Sequence, residues 1–314
     1  MKIQGVIPVM MLPFHDDESI DEGALRKQVD FAVTGGAAAV CAPGFATEFY
    51  KLSDEERRGV IKVVAEQTGG RVPMFAGTGC GSVKATIELS QYAESVGASG
   101  VMVAAPKFCP LGATEQITFF EMVCRSVGVP VMLQDADFTG AGLPAGLIVD
   151  LAERCPNLEF AKLENVLPGA KCSEIIKLSR GKVQVLYGMA GIGLLDGLAH
   201  GATGVMPGPS FLEVYVRVFE LYVGGRISDA KALFYRMQPY ITFSVQHLEL
   251  VIRMDKRGLV RRGIFSSDRV REPTLCFDAE YQAQMDELLE LMHGICLGIQ
   301  ADRPHFAGTQ LKPS

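Results

Sequence analysis

Lys162 and Glu164 stand two residues apart in the apolar run Glu159-Phe160-Ala161-Lys162-Leu163-Glu164. Side chains alternate along a strand, so the two would project from one face. An amine held in an apolar space gives up its proton more readily and becomes a nucleophile, and a carboxyl beside it can carry protons. The pair therefore fits covalent chemistry on a carbonyl. It fits a surface ion pair as well, because most lysines are exposed. A second run, Pro130-Val131-Met132-Leu133-Gln134-Asp135, also ends in polar groups. Gln134 and Asp135 either join Lys162 at one rim or begin a loop that caps the helix near Leu147. Gly77-Thr78-Gly79-Cys80-Gly81 is rich enough in glycine to cradle a phosphate, yet it lacks the Lys-Ser/Thr ending of a P-loop and reads better as a tight turn.

These residues need a frame to bring them together. Short apolar runs at 6–10, 38–42, 73–77, 100–104, 130–134, 159–163, 183–187 and 203–206 alternate with stretches of helical period. Eight such βα units predict a (β/α)₈ barrel, a TIM barrel of the α/β class, whose active site lies at the C-terminal ends of the strands. Lys162, Glu164 and Gln134 all fall at such ends. Gly188 after the seventh strand and Met206 at the end of the eighth fall at the same rim, where they read as substrate-binding positions in the pocket wall. Ser53-Asp54-Glu55-Glu56 is a capping box opening a helix toward Val64, and Gly97 and Gly201 read as helix stops. An open doubly wound sheet is disfavoured because the first βα turn, Leu12-Pro13-Phe14-His15-Asp16-Asp17, holds no glycine. Beyond residue 209 only helices are predicted, at 211–223, 228–237, 241–254 and 279–297. The chain thus divides into a barrel over 1–224 and a C-terminal helical extension over 225–314.

Composition narrows the function. With 48% hydrophobic residues over 314 positions the chain can bury a sizeable core, and its net charge of -6 offers no basic field for nucleic acid. No apolar stretch approaches the ~20 residues of a membrane span, and no leader pattern opens the sequence. Cytoplasmic location is the expectation. The eight cysteines form no C-x-x-C pair and read as reduced core residues. His15, His200, His247, His293 and His305 have no partner spacing and read as surface or helix-end residues, so neither metal nor cofactor is expected. Arg261, Arg262, Arg269 and Arg271 read as a solvated face or subunit contact rather than as ligands of an acidic substrate.

Taken together, Gly5-Val6-Ile7-Pro8 with Pro13-Phe14, Gly44-Phe45-Ala46-Thr47-Glu48-Phe49, Leu52-Ser53-Asp54-Glu55-Glu56-Arg57, Gly77-Thr78-Gly79, Ala93-Glu94 with Gly97-Ala98, Ala105-Pro106, Thr139-Gly140, the Lys162 strand and Gly201-Ala202-Thr203-Gly204-Val205-Met206 carry a resemblance. The chain resembles the dihydrodipicolinate synthase/N-acetylneuraminate lyase family of class I aldolases and dehydratases over nearly its whole length. The resemblance implies that Lys162 forms a Schiff base with pyruvate or a pyruvate-like 2-oxo acid. It implies that Gly44, Phe45, Ala46 and Thr47 hold the substrate carboxylate, although Phe45 and Ala46 replace the family's two threonines. It also implies a homo-oligomer, dimer or tetramer. The family's Tyr-Asn pair on strand five is Gln134-Asp135 here, and Pro106-Lys107-Phe108 lacks the companion tyrosine. A glutamine has no ionisable proton near neutral pH, so the usual relay is lost. Gln134-Asp135 with Lys162-x-Glu164 resembles a subgroup that includes dehydratases of 2-keto-3-deoxy sugar acids such as L-2-keto-3-deoxyarabonate. Dehydration of such an acid is therefore the leading expectation, with Glu164, or a water held by Gln134, as proton carrier and Asp135 beside the substrate. A pyruvate-dependent aldolase or dihydrodipicolinate synthase and a non-catalytic 2-oxo-acid-binding barrel are the alternatives.

Overall fold

In the computed structural model, residues 1–106, 111–138 and 140–302 are described, the last three without side-chain detail. Lys107, Phe108, Cys109, Thr139 and His305 lie outside the described residues. The apolar runs form strands β1 (Gly5–Val6), β2 (Val40–Cys41), β3 (Met74–Gly77), β4 (Gly100–Ala104), β5 (Val131–Ala136), β6 (Leu158–Glu164), β7 (Gln184–Tyr187) and β8 (Gly204–Val205). Between and after them run helices α1 (Glu22–Thr34), α2 (Asp54–Thr68), α3 (Val83–Ser95), α4 (Ala113–Ser126), α5 (Ala145–Arg154), α6 (Pro168–Leu178), α7 (Leu194–Ala199) and α8 (Leu212–Val223). α9 (Ile227–Ser244), α10 (Leu248–Arg261) and α11 (Ala279–Asp302) follow.

All strand pairs are parallel, in the order β1-β8-β7-β6-β5-β4-β3-β2. The two ends meet: Ala38 N donates to Val6 O (2.8 Å), Cys41 N to Pro8 O (3.0 Å) and Met10 N to Cys41 O (2.9 Å). This closes the ring as a TIM barrel. β1 is shorter than its apolar run because Pro8 has no N–H to give to a ladder. β5 and β6, by contrast, run to Ala136 and Glu164, so Gln134 and Asp135 lie in a strand and not in a loop.

Alternation sorts the strand residues into two layers. Ile7, Val9, Cys41, Phe75, Met102, Met132, Phe160, Leu186 and Met206 fill the barrel interior. Phe75 meets Phe160 edge to face at 5.3 Å, and burying a side chain such as Phe160 stabilises the fold by about 1.5–3 kcal/mol. The intervening residues pack outward against the helices. At α2 the capping box is formed: Ser53 Oγ accepts from Glu56 N at 3.1 Å and Glu56 Oε2 accepts from Ser53 N at 2.8 Å. Gly97 and Gly201 take φ of 97° and 90°, which lets the chain turn from helix to strand where a side chain would be strained.

The C-terminal helices depart from their expected bounds. Pro239 does not end a helix but lies inside α9, which continues to Ser244. A proline in a helix interior costs about 3 kcal/mol, but Met237, Tyr240 and Ile241 are all buried around it and hold the turn in place. The break comes after Ser244, and His247 then caps α10, its Nδ1 accepting from Glu249 N at 3.1 Å. α9 and α11 pack on α8, whereas α10 lies across the turn that follows β2. No helix among the described residues is long and apolar enough to cross a membrane.

Candidate active site

Register brings the chemistry to one rim. Gln134 pairs with Lys162 and Ala136 with Glu164 across β5 and β6, so Gln134, Lys162 and Glu164 share the interior face above Phe160. Lys162 is 3% exposed and Glu164 6%, which rules out the surface ion pair. Lys162 Nζ lies 3.3 Å from Glu164 Oε1. Gln134 Nε2 donates to Glu164 Oε2 at 2.6 Å, and Met189 N donates to Oε1 at 3.2 Å. Glu164 is thus the centre of the cluster, oriented by two donors and touching the amine.

Gly188 is required by that arrangement. A Cβ there would lie 2.3 Å from both Cγ and Oε1 of Glu164. The next two residues, Met189 and Ala190, both take left-handed backbone, at φ 49° and 50°. Such backbone costs energy in a non-glycine residue and persists where its surroundings hold it. Here Tyr215 Oη donates to Ala190 O at 2.8 Å, and the turn aims Met189 N–H at Glu164.

A cavity of about 650 Å³ opens on Lys162 and Glu164, walled by Phe45, Ala46, Met189 and Met206. A second cavity of about 680 Å³ reaches Gln134 and Gly44, and Phe45 and Tyr50 line both. Tyr50 is the one tyrosine lining either among the described residues, and its hydroxyl is committed to Glu249 Oε1 at 2.6 Å. Cys41 shares the interior, but burial pushes its thiol up to about 12, so it is no rival nucleophile near neutral pH.

The turn after β2 reaches this space as a short 3-10 helix over Phe45–Thr47. Gly44 packs close beneath it; a Cβ would meet Val9 Cγ1 at 2.8 Å. The expected hydroxyl contact from Thr47 is not available: Thr47 Oγ1 accepts from Gly44 N (2.8 Å) and donates to Met10 O (2.7 Å). That leaves the amides of Phe45 and Ala46, for which the described residues supply no acceptor.

Asp135 is the other correction. One residue on from Gln134, it faces away from the interior. Its carboxylate accepts from Leu143 N (3.0 Å) and from Lys171 Nζ (2.5 Å), and a Cβ on Gly142 would lie 2.3 Å from it. It anchors the segment after β5 rather than reaching the Lys162 cavity. In the Gly77–Gly81 turn two amides are spent on other parts of the chain, Thr78 N on Met102 O (2.9 Å) and Cys80 N on Thr86 Oγ1 (3.1 Å).

Sequence reading missed the contribution of α10. His247, Leu248, Glu249 and Val251 wall the Lys162 cavity. Deeper in the helix, Asp255 Oδ1 accepts from Ser210 N (3.1 Å) and Ser210 Oγ (2.6 Å), and Lys256 is ion-paired with Glu48. A signal existed: Asp255 and Lys256 stand in phase with Ile252 and Leu259, where the helical period calls for apolar residues. Within the chain the arginines make ties to acidic side chains. Arg262 is buried against Glu213 at 2.7 Å, Arg261 bonds Asp286 at 2.7 Å, and Arg271 holds both oxygens of Glu56 at 2.7 and 2.9 Å. Arg269 is the most exposed of the four, its side chain 3.4 Å from Asp16.

The model of the dihydrodipicolinate synthetase family matches residues 2–292. An L-2-keto-3-deoxyarabonate dehydratase from Azospirillum brasilense is 28% identical over 280 residues, 86% of this chain and 88% of its own length. A 4-hydroxy-tetrahydrodipicolinate synthase from Methanopyrus kandleri is also 28% identical, over 246 residues, 76% of this chain and 80% of its own. Among solved structures, YagE of Escherichia coli K12, a protein of the dihydrodipicolinic acid synthase family in complex with pyruvate, superposes with a TM-score of 0.84 at 25% identity, covering 92% of this chain and 98% of its own.

Proposed function

Since this chain belongs to the dihydrodipicolinate synthetase family, we propose that it forms a Schiff base between Lys162 and a 2-oxo acid and dehydrates a 2-keto-3-deoxy sugar acid. It is a lyase by that membership. The observation that carries the finer reading is the pairing of Lys162 with Glu164 at 3.3 Å in a cavity whose tyrosine is already bonded to Glu249. Proton movement at the amine then falls to a carboxyl oriented by Gln134 and Met189.

The steps follow from those positions. Lys162 attacks the C2 ketone and water leaves, giving an iminium. Removal of a proton from C3 places its electron pair in an enamine. That pair then expels the C4 hydroxyl, which takes up a proton and departs as water, leaving a C3=C4 double bond conjugated with the iminium. Loss of a proton from C5 and uptake of one at C3 convert this into the C4=C5 enol, and hydrolysis of the imine with ketonisation of the enol releases the semialdehyde and restores Lys162. Glu164 is the proton carrier for these transfers. The substrate carboxylate sits on the amides of Phe45 and Ala46, whose threonine hydroxyl counterparts are missing. The activity named for the Azospirillum relative and the pyruvate held by YagE both support this assignment.

The test is a parallel assay of semialdehyde release from 2-keto-3-deoxypentonates, condensation of pyruvate with aspartate semialdehyde, and cleavage of N-acetylneuraminate. Dehydration is expected to be the fastest of the three. Strong condensation or cleavage without dehydration would overturn the reading.

A further inference from the structure

We infer that the buried Glu48–Lys256 ion pair positions the carboxylate-binding turn, which makes α10 part of the substrate-binding machinery. This rests on the reading of Phe45 and Ala46 as the carboxylate site. Both members of the pair are 0% exposed, and they join positions 208 residues apart.

Thr47 N bonds Gly44 O at 2.9 Å and Glu48 N bonds Phe45 O at 3.0 Å, so residues 47 and 48 set the peptide planes of Phe45 and Ala46. Thr47 is tied to the barrel by its hydroxyl on Met10 O. Glu48 is tied on the opposite side. Its Oε1 meets Lys256 Nζ, while Oε2 accepts from Arg271 N at 3.0 Å and lies 3.2 Å from Lys51 Nζ. Lys256 is itself fixed, donating to Arg269 O at 2.7 Å and lying 4.5 Å over the Phe14 ring. Glu48 also takes left-handed backbone, at φ 58°, between two short 3-10 turns. A non-glycine residue occupies that region only when its surroundings hold it there. The side-chain bonds to Lys256, Lys51 and Arg271 are what hold it. Released, the turn would relax and carry the two amides with it.

The experiment compares borohydride trapping of pyruvate with trapping of methyl pyruvate, the same ketone without the carboxylate charge. The variants are Glu48→Gln, which keeps the side-chain shape, and Glu48→Gln/Lys256→Met, which leaves no orphaned buried charge. In both, the pyruvate-to-ester rate ratio is expected to fall, by about tenfold or more in the double variant, with the ester rate changing little. A general structural defect would lower both rates alike. A folded double variant that keeps the wild-type ratio would overturn the inference. So would loss of fold in both variants, which would make the pair a support of the whole barrel. If the wild-type protein itself fails to favour the charged ketone, the carboxylate reading fails first, and the two failures are thereby distinguished.

Discussion

At the scale of single residues, the site depends on how closely Glu164 is held against Lys162. Gly188→Ala tests that contact directly, because a Cβ 2.3 Å from Glu164 must push the carboxylate aside. A displacement of this kind is expected to lower kcat on the order of 10–100-fold while leaving KM and the fold nearly unchanged, as steady-state kinetics beside a thermal melt would record. Glu164→Gln keeps the shape but cannot move a proton, so dehydration should fall steeply, and borohydride trapping of pyruvate should slow without being lost because the Lys162 amine remains. An unaffected rate would remove Glu164 from its role. Lys162 and Glu164 were legible from sequence because a spacing of two fixes a shared strand face. The same rule places Asp135 on the opposite face from Gln134, and the adjacent polar pair concealed this. Thr47 could not be read at all: its hydroxyl is spent on Met10 O, a partner 37 positions away.

Among the elements, α10 carries buried charges whose phase is visible in the sequence but whose partners are not. Consecutive residues reach two different loops, Lys256 the turn after β2 and Asp255 the segment after β8 through Ser210. Burial raises the Asp255 carboxyl from 3.8 to about 6, against the lowering effect of the Ser210 bonds. The folded state therefore holds this proton more tightly than the unfolded chain does. Its stabilising contribution is full below 3.8 and lost as pH rises through about 6. Asp255→Asn keeps the Oδ1 acceptor and removes the charge, so it should be more stable than wild type by up to roughly 3 kcal/mol near pH 8 and about equal near pH 4. Urea unfolding at the two pH values measures this, and a variant less stable at both would show that the carboxylate is needed. The strand and helix order was legible because β and α periods differ. The break expected between 237 and 241 is absent because the burial that carries α9 through Pro239 is tertiary.

For the whole molecule, the closed ring of β1 to β8 places the ends of β5, β6 and β7 side by side, and the start of α10 with the turn before it walls the cavity that opens there. Barrel architecture was readable in the eightfold alternation. That wall was not, since the ties around it join residues such as Glu48 and Arg271, 223 positions apart. In the proposed reaction a 2-oxo acid becomes covalently bound to the amine at the centre of the rim. The direct measurement is borohydride reduction in the presence of a 2-keto-3-deoxypentonate or pyruvate, followed by digestion and peptide mass analysis of the wild type and of Lys162→Ala. A single adduct on the peptide containing Lys162, lost together with turnover in a Lys162→Ala protein that still folds, is the predicted result. An adduct on another lysine, or turnover that survives in Lys162→Ala, would contradict the account.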